Sequence, residues 1–335
     1  MLRKARLSRV PEERLQILQQ ALHLARRGGD DKLISQVYEA LGDFFYDQAR
    51  RSEAEDAYRD AMFRLSERSG RVTYVRTRLV LKVGHCLYDR GDFVGALRHY
   101  QEAYEAGTPS RKDHGLPGQI SRNLGNTCCR LGLFSQAVNH YRESKRVSLR
   151  EANMVAVAHA ELGLSYALRS LRAAEEAISS AKEAERIYEA EGDQLGVLSA
   201  RHNRAVAAID LGRLEEAKAW LDDALDYYRE HGLPEFQAAA LEEMARLLQA
   251  EGKLHSALDA CLEGLSLLEG HVASVAFYKL KAQLGLVEAV MENPDSAVHL
   301  REAAAGFAEL SQAHEVARLL DRFLAQSFDN GGIGR

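Results

Sequence analysis

Three asparagines carry the most usable chemistry in this chain: Asn123, Asn126 and Asn203. A carboxamide both donates and accepts, so asparagines facing one extended segment can satisfy the two polar groups of its backbone. Arg122, beside Asn123, can read a carboxylate with its planar fork. The competing use of Asn123 and Asn203 is to bridge neighbouring helices. Glu39, Asp43, Asp47 and Asp89 form a second group, which reads either as a receiver for a cationic peptide end or as a solvated acidic face. His202 reads equally as a ligand contact or as a satisfied surface histidine.

Metal chemistry is a weaker prospect. His85-Cys86 and Cys128-Cys129 stand one repeat apart. Adjacent residues on a helix point about 100° apart, so Cys128 and Cys129 cannot easily share one tetrahedral site, and the expected role is core packing. No Gly-x-x-x-x-Gly-Lys loop, His-Glu-x-x-His or Gly-x-Ser-x-Gly occurs, so no phosphate loop, zinc peptidase or serine hydrolase is expected. The expectation is a chain without catalytic residues, cofactor or metal.

The elements that position these residues follow from composition and period. The chain has 335 residues, 46% hydrophobic and 28% charged, with only 5 prolines, 1 tryptophan and 7% aromatics. So little proline leaves room for long helices and little for turn-rich β structure. No apolar run reaches the roughly 18 residues of a membrane span. No apolar segment follows the basic start Met1-Leu-Arg-Lys-Ala-Arg, and the four cysteines have no disulfide spacing, so a reducing, cytoplasmic setting is expected. A net charge of −5 argues against direct nucleic-acid binding by this chain.

A repeat dominates the sequence. Segments ending at Ala61, Ala103, Ser144, Ala184, Ala224, Gly264 and Ala304 recur at spacings of 42, 41, 40, 40, 40 and 40, and an alanine stands seven residues before each end. Upstream in each unit lies Leu41-Gly42, Val83-Gly84, Leu124-Gly125, Leu162-Gly163 or Leu284-Gly285; Arg204-Ala205 and Met244-Ala245 replace the pair in two units. A mid-helix glycine costs about 1 kcal/mol relative to alanine, so close helix packing must compensate. Breaks such as Arg90-Gly-Asp-Phe93, Leu131-Gly-Leu-Phe134, Leu211-Gly-Arg-Leu214 and Glu251-Gly-Lys-Leu254 supply left-handed helix ends. The unit is therefore an antiparallel helix pair.

Leu41-Gly42-Phe45-Ala54-Tyr58-Ala61, Val83-Gly84-Leu87-Ala96-Tyr100-Ala103 and Leu124-Gly125-Cys128-Ala137-Tyr141 resemble the tetratricopeptide repeat. The resemblance covers roughly residues 11–310. The common period is 34, and the longer unit here is similar to those of bacterial peptide-sensing regulators (the Rap, NprR, PlcR and PrgX group), MalT-like regulators and kinesin light chain. It implies an all-α, right-handed superhelical solenoid of about eight helix-turn-helix units plus a C-terminal capping helix. It also implies a concave face lined by the first helix of each unit. That face would present Asp43 and Tyr46, then His85 and Tyr88, then Gln119, Arg122, Asn123 and Asn126, then His202 and Asn203. In the regulators it resembles, groove asparagines hold the peptide main chain.

The expected organisation is an incomplete first repeat over 1–30, seven full repeats over 31–310, a capping helix over 311–328 and a mobile tail over 329–335. Only ten residues precede the first unit's second helix, which reads as a half-helix cap or as truncation from a longer protein. Upstream of such regulators sits a helix-turn-helix domain, and Arg3, Lys4, Arg6 and Arg9 read as a linker remnant or a solvated helix start. In the C-terminal helix Val316, Leu319, Leu320, Phe323 and Leu324 share one face, so a homodimer through that stripe is a further expectation. The resulting reading is a non-enzymatic module, the sensor part of a cytoplasmic regulator that binds a short peptide or a protein in its groove. The alternative is a constitutive scaffold for protein assembly.

Overall fold

In a computed structural model the described residues are 1–7, 10–65, 70–107, 115–270, 274–310 and 312–331, and they are helical nearly throughout. Among them seventeen helices follow in order. They are α1 (Leu2–Leu7), α2 (Pro11–Gly28), α3 (Asp31–Asp47), α4 (Arg51–Phe63), α5 (Gly70–Asp89), α6 (Phe93–Ala106), α7 (Leu116–Arg130), α8 (Phe134–Arg150) and α9 (Met154–Ser170). Then come α10 (Ala174–Glu191), α11 (Gln194–Asp210), α12 (Leu214–Glu230), α13 (Pro234–Ala250), α14 (Leu254–Leu267), α15 (Val275–Val290), α16 (Ser296–Glu309) and α17 (Ala313–Gly331). The Arg3, Arg6 and Arg9 side chains and residues 332–335 of the expected tail lie outside the described residues. Residues 329–331 continue α17.

The chain forms two compact units. Unit 1 holds residues 1–128 and 146–151, and unit 2 holds 129–145 and 152–335. In unit 1, α3 packs on α4, α4 on α5 and α5 on α6. In unit 2, α9 packs on α10 and the sequence continues pair by pair to α16, while α9, α11, α13 and α15 also touch one another in turn. The four form a continuous inner face.

The repeated small residues do what their spacing requires. Ala54, Ala61, Ala96, Ala103, Ala137, Ala177, Ala184, Ala217, Ala224 and Ala257 are buried, as are Ser144 and Gly264. Gly84 shows why glycine recurs on the first helix. A Cβ there would fall inside the Tyr100 ring of α6, and Gly42 stands in the same relation to Tyr58 of α4. The missing methyl lets a tyrosine lie flat on the neighbouring backbone, and that contact offsets glycine's helix penalty. Side-chain caps fix several helix starts: Asp30 accepts from the Leu33 amide, Asp92 from Gly95, Asn153 from Ala156 and Asp193 from Gly196.

Two local expectations need correcting. Left-handed turns also form at Ala49, Ala152, Arg172 and Glu292, with φ between 53° and 62° and no glycine to mark them. In the last unit, Ala297 is exposed, while Ala303, Gly306 and Phe307 are buried in place of Ala297 and Ala304. Gly285 there meets Leu300, one position earlier than the Gly42–Tyr58 and Gly84–Tyr100 spacing requires. The turn before α16, with Glu292 left-handed and Asn293 accepting from the Asp295 amide, shifts the register by one residue.

Candidate functional site

The inner helices of unit 1 bring the selected residues to one face. Asp43 and Tyr46 lie on α3, His85, Tyr88 and Asp89 on α5, and Gln119, Arg122, Asn123 and Asn126 on α7. Their three- and four-residue spacings place each set on one side of its helix. Tyr46, His85, Tyr88, Asp89, Tyr100, Asn123 and Asn126 line a single cavity of about 90 Å³. That holds a few waters or the tip of a small side chain.

His85 organises this cavity. The Asn123 amide nitrogen donates to His85 Nε2 at 2.8 Å, so the imidazole is neutral and carries its proton on Nδ1. Burial pushes the His85 pKa down to about 4; Asp89 opposes this, while Lys82 and Arg122 add to it. Behind His85 stands the Tyr100 ring, centroid to centroid 5.8 Å. Tyr46 donates its hydroxyl to Asp89 at 2.7 Å, and burial with that hydrogen bond pushes the phenol up to about 12. The walls are aromatic, and the polar atoms come from an amide pair and a neutral histidine.

The acidic group on α3 and α5 is not a free anionic face. Glu39 pairs with Arg78 at 2.7 Å and with Lys82 at 2.8 Å, and Lys82 also reaches Asp43 at 2.6 Å. Tyr58 donates to Asp43 at 2.8 Å. Asp47 pairs with Arg14 at 3.0 Å, and Asp89 with Arg51 at 2.8 Å. Every member of the expected receiver for a cationic end already faces a cation of a neighbouring helix. Partly exposed pairs of this kind contribute about 0–1 kcal/mol each and act mainly on register and specificity.

Five of the ten selected residues, Tyr46, His85, Tyr88, Asn123 and Asn126, therefore meet at one cavity. Gln119 and Arg122 are half-buried on α7 outside its lining, and Asp43 is engaged by Tyr58 and Lys82. His202 and Asn203 belong to unit 2. There Asn203 Nδ2 donates to the Leu162 carbonyl at 3.2 Å and bridges α11 to α9. Burial pushes the His202 pKa down, against the pull of Glu243. Sequence reasoning missed Tyr100, because the groove was assigned to first helices alone. The signal was Gly84, whose bare backbone admits the Tyr100 ring to the first-helix face.

All four cysteines are free and buried. Burial raises the Cys128 thiol to about 11 and the Cys86 and Cys261 thiols to about 12, so all three remain protonated packing groups. Among the described residues no group of three His, Cys, Asp or Glu gathers to hold a metal, and no helix is long and apolar enough to cross a membrane.

Residues 76–149 match the family model of the tetratricopeptide repeat. Over these residues the chain carries the tetratricopeptide repeat. No curated protein sequence matches it. Among solved structures, this chain is similar to aspartyl phosphate phosphatase F from Bacillus subtilis, at 13% identity and a TM-score of 0.66, over 88% of this chain and 74% of that one. It is also similar to NprR in complex with its cognate peptide NprX, at 13% identity and 0.64, over 88% and 89% of the two chains. The Rap conjugation gene regulator of plasmid pLS20 in complex with the Phr* peptide gives 16% and 0.63, over 87% and 78%. At such identities the likeness is one of fold.

Proposed function

We propose that the protein is a non-enzymatic peptide-binding module, the sensor part of a cytoplasmic regulator, and that unit 1's inner face receives the peptide. The carrying observation is the convergence of Tyr46, His85, Tyr88, Asn123 and Asn126 on one cavity. An extended peptide exposes alternating amide donors and carbonyl acceptors. Asn126 answers both, and the Asn123–His85 pair fixes the orientation of a second polar edge. The cavity between Tyr88 and Tyr100 takes one small side chain of the ligand, and the aromatic walls supply apolar contact at little entropic cost. Arg122 stands on the same helix to meet a carboxylate. The similarity to NprR and the pLS20 Rap regulator, each solved with a bound peptide, supports this reading at the level of the fold.

The pairing of all four acids on α3 and α5 argues for a neutral or anionic peptide rather than one led by a cationic end. The test screens short linear peptides on an array against the full chain and follows binders by calorimetry. The proposal expects Asn126→Ala and His85→Ala each to weaken binding about tenfold, roughly 1.4 kcal/mol. Unchanged affinity in both variants, with circular dichroism intact, would remove the site.

A further inference from the structure

In unit 2 the chain's own last helix lies over the inner face. Helix α17 packs on α15 and α16 through Val316 and Leu319, which join the cluster around Leu286, Ala303 and Phe307. Its first turn reaches the opposite end of the unit: the His314 ring stands 5.7 Å from Phe134, and a Cβ on Gly132 would come within 2.9 Å of His314 Cβ. Farther along α17, Asp321 faces Arg172 at 3.7 Å on the rim. Leu320, Phe323 and Leu324, expected on the same apolar stripe, are exposed.

Between α17 and the inner helices lies a chamber of about 460 Å³, within the range of small-molecule sites. Its interior cations are Arg169, Arg246, Lys279, Arg318 and Arg322. Its interior acids are Asp210, Glu242, Glu243 and Glu315, and Arg172 and Asp321 line its mouth as a pair. Arg246 is fully answered: it pairs with Glu243 and takes Asp210 Oδ1 at 2.7 Å. Arg169, with only 10% of its side chain exposed, faces Asp210 Oδ2 at 3.6 Å, beyond hydrogen-bonding distance, the Tyr166 ring at 5.8 Å, and the Glu243 charge that it shares with Arg246. Arg322 donates to the neutral amide of Gln283. Lys279 and Arg318 share Glu315 at 3.6 and 3.3 Å. Burial, then the neighbouring Glu243 charge, raises the pKa of Glu242, which weakens the anionic side further. Burial and the nearby Arg246 push Arg322 down to about 10, and burial with Arg318 lowers Arg169, against the pull of the neighbouring acids.

We infer that unit 2 binds a small oxyanionic molecule, bearing a carboxylate or phosphate group, in the chamber beneath α17, with Arg169 and Arg322 gripping the anion. Buried cations that must share acids are costly, and an oxyanion in the chamber supplies further acceptors to the guanidinium groups that line it. The site is separate from the unit 1 cavity and does not depend on peptide binding there. Because Arg322 belongs to α17 and Arg169 to α9, a bound anion ties the terminal helix to the inner face and favours its seated state.

The full chain is titrated with inorganic phosphate and with succinate, up to about 10 mM, at ionic strength held constant with sodium chloride. Binding is followed by thermal unfolding and by hydrogen exchange of α17. The expected result is a saturable rise in Tm with at least one probe, slower exchange in α17, and about tenfold weaker binding in Arg169→Gln and Arg322→Gln. Arg186→Gln, an exposed arginine outside the chamber lining, binds as the parent does. Arg322→Lys, which keeps the charge, retains part of the affinity and decides the matter should the glutamine variants fold poorly. Which probe saturates first separates a phosphate ligand from a carboxylate one. The inference is overturned if neither probe saturates, if both arginine variants bind as the parent does, or if binding leaves α17 exchange unchanged.

Discussion

The two units use one repeat geometry to make opposite inner faces. In unit 1 the acids of α3 and α5 are neutralised by cations from neighbouring helices, and a small pocket of aromatic, amide and neutral imidazole groups remains. In unit 2 the inner helices carry buried arginines, a lysine and glutamates, and the chain's own α17 roofs them. Helix-pair packing fixes which positions face inward and leaves their chemistry free. One face is suited to backbone hydrogen bonds with an extended chain, the other to a charged molecule.

That contrast can be broken most sharply at Glu243. Its carboxyl is buried, which alone would raise its pKa, yet Arg246 and Arg169 hold it well below the usual carboxylate range. Removing it in Glu243→Ala leaves Arg246 partly uncompensated and is expected to cost about 3–5 kcal/mol in chemical denaturation. A cost below 1 kcal/mol would mean that the unit 2 network contributes little. In unit 1 the matching test is steric. Gly84→Ala drives a methyl into the buried Tyr100 ring and is expected to cost about 1–3 kcal/mol despite alanine's better helix propensity.

A third prediction concerns pH. Unfolded His85 titrates near 6.5, whereas the folded residue, facing Asp89, Lys82, Arg122, Asn123 and Tyr100, is held down to about 4. The unfolded chain therefore binds more protons between these values, so His85 lowers stability as pH falls from about 6.5 to 4. His85→Gln should flatten the stability profile in that window, and an unchanged slope would show that the ring is not buried as described. The smallest effect is expected at Ala152, left-handed with φ of 53° and exposed. Ala152→Gly should raise stability by about 0.5 kcal/mol, a small balance between relieved strain and added unfolded-state entropy.

The fold was legible because its main requirement is close packing, and close packing leaves small residues at fixed spacing. Gly42 and Gly84 announce the tyrosines that cover them. Other features depend on partners that spacing does not name. Lys82 and Asp43 stand 39 residues apart, and nothing local in either stretch marks them as a pair. The last unit slipped by one residue because Asn293, Pro294 and Asp295 delay the start of α16 to Ser296, although Glu292 keeps the left-handed position of the other breaks. Five of the cavity's residues stand at positions that the tetratricopeptide resemblance implies face the groove, but Tyr100 enters from a second helix. The return of α17 to Gly132 joins positions far apart in the chain, so its contact depends on how the intervening repeats stack. Glu315, Arg318 and Arg322, three and four residues apart beside Leu319, were the available sign that this helix has a charged inner face as well as an apolar one.

The most direct test of the central claim is a calorimetric titration of an array-selected peptide against three forms of the full chain: the parent, Asn126→Ala and Arg322→Gln. The account predicts about tenfold weaker binding in Asn126→Ala and parental affinity in Arg322→Gln, because the peptide belongs to unit 1. Parental affinity in Asn126→Ala together with weakened binding in Arg322→Gln would contradict it and assign the peptide to unit 2.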